Sequence, residues 1–153
     1  MMKIVDRYKQ GMNLAELSLW LEMDASLAMD DIVTLVESVM KDIIKEKDQA
    51  MRDDLFNVID DAVFLRQVGE KVNWQILVDD INNMSPYDLV WLLPFLGASR
   101  KDAYLPILMK YIRHENVLVQ EYAIDAITEI KRKVSGSDPA FKLHREEVLT
   151  EIL

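Results

Sequence analysis

The chain has 153 residues, half of them apolar, with 18 Lys and Arg against 27 Asp and Glu and a formal net charge of −9. That composition excludes a disordered or fibrous class, and the length suits one domain with a sizeable core. The absence of cysteine removes disulfides, thiolate metal sites and cysteine nucleophiles together. The negative surface disfavours nucleic acid as a partner, because it repels phosphate backbones.

In chain order, MMKIVDRYKQ lacks the apolar core of a signal peptide and predicts only a short helical lead-in before Gly11. Asn13 can cap a helix striped by Leu14, Leu17, Trp20 and Leu21, and Asp24 to Ser26 reads as a break. From Ala28 to about Lys47, Met29, Ile32, Val33, Val36, Met40 and Ile43 fall on one face, the clearest amphipathic helix in the chain. Another runs from about Met51 to Gln67 through Leu55, Ile59, Ala62, Val63 and Arg66, with Gly69 as its expected breaker. A shorter helix, Asn73 to Met84, turns Trp74, Leu77, Val78 and Ile81 inward. Ser85-Pro86 then starts a helix expected to kink at Pro94 and stop at Gly97.

Residues 104–130 read as two short helices, the first with Leu105, Leu108, Met109 and Ile112 inward, the second with Val119, Ala123, Ala126, Ile127 and Ile130. His114-Glu115-Asn116 breaks them. Small residues at 123 and 126 suit a helix that another backbone approaches closely. Asp138-Pro139 caps a terminal helix over 139–153, with Phe141, Val148, Leu149 and Ile152 inward. No stretch alternates with period two, so the expected fold is all-α. The longest charge-free stretch, Leu89 to Ser99, has 11 residues. A membrane helix needs roughly 20, so the expectation is a soluble cytoplasmic protein without a membrane partner.

Leu105-Pro106, Asn116, Val119, Ala123 and Ala126-Ile127 give residues 104–130 a resemblance to HEAT-type helical repeats, within the HEAT/armadillo class. Residues 73–97 look like a degenerate earlier copy, offset by about 30 residues. The sequence departs from the family pattern at Gln120, where an Arg is usual, and at His114, where an Asp is frequent. The resemblance implies a single domain over 1–153, a right-handed stack of about eight antiparallel helices forming a short α-α superhelix, and a binding surface lined by its inner helices.

Two groups of residues are candidate partner sites. Asp-Asp pairs at 53-54 and 60-61 line up two turns apart, so Asp53 and Asp60 mark either an ordinary solvated face or an acidic surface for a basic protein. A carboxylate metal site would need inward Glu with Glu-x-x-His, which the sequence lacks. Tyr87, Asp88 and Trp91 lie opposite the leucine face of their helix, and Glu121, Asp125 and Thr128 occupy the equivalent face of the next repeat. Aromatic rings beside carboxylates suit an interaction hot spot. The competing reading is that terminal helices cover the rings as core.

Neither His114 nor His144 is spaced with a Ser or Asp as a nucleophile-base pair, and there is no Gly-rich phosphate loop. The nine methionines fall mostly on core stripes. The expectation is a non-catalytic protein-binding module with no cofactor and no metal. In being small, acidic, cysteine-free and single-domain, the chain also resembles bacterial immunity proteins. That resemblance implies neutralisation of a basic toxin domain. An adaptor or assembly subunit is the alternative binding role, and a lyase-like helical-repeat enzyme the alternative of a different class.

Overall fold

The computed structural model describes residues 2–153, and every regular element among them is helical. Met1, the first residue of the expected domain, lies outside the described residues. Internal contacts divide the chain after Asn83 into two compact units.

The first unit holds α1 (Ile4–Lys9), α2 (Leu14–Met23), α3 (Met29–Lys45), α4 (Gln49–Arg66) and α5 (Gln75–Val78), followed by a 3₁₀ turn at Ile81–Asn83. Gly11 supplies the positive φ of +89° between α1 and α2. Asn13 Oδ1 then accepts the Ala15 amide at 2.8 Å, starting α2. The apolar stripe of α3 is buried at Ile32, Leu35, Val36, Val39, Met40 and Ile43, leaving Met29 exposed in its first turn. The Glu46–Asp48 link is short enough that α3 and α4 form a helical hairpin, with Asp48 accepting the Met51 amide at 3.2 Å.

Two arginines of α4 bind the carbonyl ends of its neighbours. Arg52 donates to the carbonyl of Ile43 and, at 2.8 Å, to that of Glu46 at the end of α3. Arg66 donates through Nε to the Leu21 carbonyl at 2.5 Å and through Nη2 to the Asp24 carbonyl at the end of α2. Orphan carbonyls and the negative end of the helix dipole both favour a cation there. The guanidiniums thereby fix α2 and α3 against α4, and Arg66, read from sequence as part of the apolar stripe, is a clamp.

The second unit holds α6 (Pro86–Ser99), α7 (Leu105–Met109), α8 (Val117–Arg132) and α9 (Phe141–Ile152), with α8 packed against the other three. Ser85 and Asp88 form a reciprocal capping box at the start of α6. Asn116 Oδ1 accepts the amides of Leu118 and Val119 at 3.0 and 3.2 Å at the start of α8. The Asn116 amide donates to His114 Nδ1 at 3.0 Å, and Gln120 donates to the His114 carbonyl, so both departures from the repeat pattern stabilise this turn. The first helix of 104–130 is shorter than its sequence period: Leu108 is buried, Leu105 and Ile112 are half-buried, and Met109 is exposed.

Three helices end on left-handed non-glycine residues, and two of those ends differ from expectation. α4, α6 and α8 end on left-handed Gln67, Arg100 and Lys133, with φ of 55°, 56° and 53°. Gly69 is not the breaker; it is buried, and its carbonyl accepts Trp74 Nε1 at 2.8 Å. Gly97 does not stop α6, which continues through Pro94 to Ser99. Residues 73–97 are shared between the units, α5 packing on α3 and α6 on α8.

Candidate functional site

Charge separates with the units. Residues 1–83 carry 17 acidic and 9 basic side chains, whereas residues 84–153 carry 10 and 9. Arg52 and Arg66 belong to the first set and point at backbone carbonyls, which leaves the outer faces of α2 and α4 still more acidic.

The residues expected to form a face on α6 and α8 do not all reach the surface. Tyr87 is 70% exposed and Trp91 half-buried. Asp88 is only 3% exposed, because its carboxylate accepts the Ser85 amide at 3.3 Å in the capping box. Thr128 is fully buried and donates to the Ile124 carbonyl at 2.9 Å. Asp88 and Thr128 are therefore structural. Glu121 and Asp125 both receive Arg145 of α9, the latter at 2.6 Å. Arg145 was missed because it reaches them from about 20 residues away, a distance at which helical periodicity carries no signal.

On α4, Asp53 and Asp60 are half-buried rather than fully presented. Asp53 accepts Gln49 Nε2 at 3.0 Å. Burial, then the neighbouring Asp61 charge, pushes the Asp60 carboxyl above its usual range. Asp54 and Asp61, the other members of the same pairs, lie on the flank of α4 that turns toward α2. That flank repeats as Met51, Asp54, Val58, Asp61 and Leu65, at helical spacing, with Val58 buried and Met51 and Leu65 exposed.

Facing it, α2 exposes Leu19 by 57% and Met23 by 71%, although Leu17 and Leu21 on its inner side are fully buried. Between the two helices lies a groove of about 680 Å³ lined by Leu14, Leu19 and Met51, small or polar Ala15, Ser18 and Asn57, and the carboxylates of Glu22 and Asp54. Across Leu19 lies a second hollow of about 470 Å³, lined by Glu16, Trp20, Met23 and Asp24 as well as Leu19 itself. Trp20 Nε1 donates to Asp24 Oδ2 at 2.6 Å. Hydrogen bonds from Ser26 and Trp20 hold the Asp24 carboxyl below its usual range, so it stays charged at this rim. Sequence reasoning did not single out this surface. Its legible signal was Leu19 and Met23, two apolar residues four apart on the outer side of an already satisfied leucine stripe.

Among the described residues, no group of three or more His, Asp or Glu is placed to hold a metal ion, and no helix is long and apolar enough to cross a membrane. No protein-family model, no curated protein and no solved structure matches the chain.

Proposed function

We propose that this chain is a non-catalytic protein-binding module of the immunity or antitoxin type, which binds a basic toxin domain in the cytoplasm and neutralises it. The observation that carries this reading is the coincidence of charge and apolar surface. Exposed large apolar side chains occur in both units, but Leu19, Met23, Met51, Phe64 and Leu65 lie in the unit with 17 acidic against 9 basic side chains, whereas Tyr87, Val117, Leu118 and Leu143 lie in the nearly neutral one. Carboxylates steer a cationic partner toward the surface, and desolvation of apolar side chains then holds it. We read the helix pairs as a short HEAT-like stack within one domain. Supporting that reading, α7 lies within the span of the 104–130 repeat and α8 overruns it by only two residues, and Ala123 and Ala126 of α8 are buried.

Affinity capture from the native host, followed by mass spectrometry, supplies the partner, and expression of that partner alone tests its toxicity. A basic protein that arrests growth, and whose arrest is relieved by co-expression of this chain, is the expected result. Its association rate should fall steeply with salt while dissociation changes little. An acidic partner, or association indifferent to salt, would overturn the electrostatic reading.

A further inference from the structure

We infer that the groove between α2 and α4 seats an amphipathic helix of the partner, with an apolar stripe that packs on Leu14, Leu19 and Met51 and with Lys or Arg along its flanks. This rests on the reading of the chain as a binder of a basic protein, and names the element of that protein that docks. Both charged residues lining the groove, Glu22 and Asp54, are carboxylates. Asp61 continues the Asp54 side of α4 by two further turns, and Glu16 and Asp24 line the hollow beyond Leu19. An occupant must therefore be apolar along its centre and cationic at both edges. A helix meets that requirement through its 3.6-residue period.

The other modes of peptide capture fit less well. Strand addition needs a sheet edge, and every regular element among the described residues is helical. Polyproline segments dock on aromatic grooves, whereas the apolar lining here is Leu14, Leu19 and Met51. A second copy of this chain on the same face would set the Glu22 and Asp54 carboxylates of one groove against those of the other, with like charges opposed. Small Ala15 and Ser18 leave room for a helix about 10 Å across to settle between the ridges. Leu19 and Met51 are already in water, so burying them adds apolar contact without unpacking the core.

The test uses the full chain and a fluorescein-labelled 18-residue Leu/Lys helix, read by fluorescence anisotropy. A Leu/Glu helix of the same pattern and a Leu/Lys peptide with scrambled period serve as comparisons. The Leu/Lys helix should bind at least about tenfold more tightly than either. Leu19→Ser with Met51→Ser should remove about tenfold of that affinity while the circular-dichroism melt stays in place. Glu22→Gln with Asp54→Asn should flatten its salt dependence. Equal binding of the Lys and Glu helices would overturn the basic-partner reading and this inference with it. Binding that survives Leu19→Ser with Met51→Ser would overturn the groove alone, and equal binding of the scrambled peptide would overturn the helix. A dimer by light scattering that the same double variant dissolves would assign the groove to a second copy instead.

Discussion

Gly97 of α6 and Ala126 of α8 hold two helices so close that a Cβ added at 97 would stand 2.9 Å from the Ala126 Cα and 3.1 Å from its Cβ. Glu129 Oε2, 2.5 Å from that position, can swing aside, but the Ala126 backbone cannot. Gly97→Ala should therefore destabilise the chain by about 1–3 kcal/mol, and Ala126→Leu by a similar amount, through overpacking. Urea unfolding measures both. Unchanged midpoints would mean that α6 and α8 do not meet here.

Glu129 lies at the same crossing. Burial pushes its carboxyl up to about 7, against the pull of Arg100, with Asp125 raising it further and a hydrogen bond donated by the Gly136 backbone amide lowering it. The folded state then holds a proton that the unfolded chain has released between about pH 4.5 and pH 7, so this group's contribution to stability falls as pH rises through that window. Asp24 and Glu151, whose carboxyls are held low, act oppositely, losing stability only as pH drops below the usual carboxylate range. Glu129→Gln should raise stability at pH 8 by about 1–3 kcal/mol and flatten the slope between pH 4.5 and 7. Urea midpoints across pH decide it, and an unaltered slope would mean that another group titrates there.

Removal of either arginine clamp should cost more than its charge suggests. Arg66→Met leaves the Leu21 carbonyl without its donor and Asp24 with only the Leu27 amide at 3.4 Å, and Arg52→Met leaves the Glu46 carbonyl without its donor and Ile43 with only the Glu46 amide at 3.1 Å. Each should destabilise by about 1–3 kcal/mol. Hydrogen exchange should localise the loosening to the last turn of α2 in the first variant and of α3 in the second. Uniform loosening in both would show that the arginines act by packing alone.

The two rings expected to form a hot spot should part company. Tyr87→Ala, at an exposed site in the first turn of α6, should leave stability within about 0.5 kcal/mol. Trp91→Ala, one turn on and half-buried, should cost about 2 kcal/mol or more. Thermal melts compare them directly, and equal effects would mean that the two rings share one environment.

Capping chemistry and apolar period were legible in the chain. Asn13 and Ser85 cap as expected and the α3 stripe is buried as its spacing requires, whereas α9 begins at Phe141 after Ala140, without the cap expected from Asp138-Pro139. Both signals span a few residues. What escaped depends on where a distant side chain ends up. Arg145 crossing from α9 to Asp125, Arg66 crossing from α4 to Leu21, and Gly69 and Gly97 serving packing rather than termination all require knowledge of the neighbour. Asp88 and Thr128 were misread for the same reason. A short polar side chain that bonds its own helix can be buried on a face that looks outward by period alone. The groove also escaped, since an exposed Leu in isolation is ordinary, and only its position beside Met51 and Glu22 gives it meaning.

The left-handed helix ends show where this chain could be made hardier without touching the groove proposed as its recognition surface. A non-glycine residue in that conformation costs on the order of 1–2 kcal/mol. Arg100 and Lys133 return something for that strain: Lys133 Nζ donates to the Arg100 carbonyl at 2.8 Å and stands 3.4 Å from Asp102, and the Arg100 charge faces Glu129. Glycine at 133 would relax the backbone but remove the donor to the residue-100 carbonyl, and glycine at 100 would keep that carbonyl but remove the charge that faces Glu129. Gln67 is exposed at the end of α4, so glycine there would relax the backbone while keeping both basic tethers. Position 67 is thus the natural starting point for a heat-resistant variant, and a sturdier scaffold would tolerate the costlier substitutions needed to retarget α2 and α4 to a new partner.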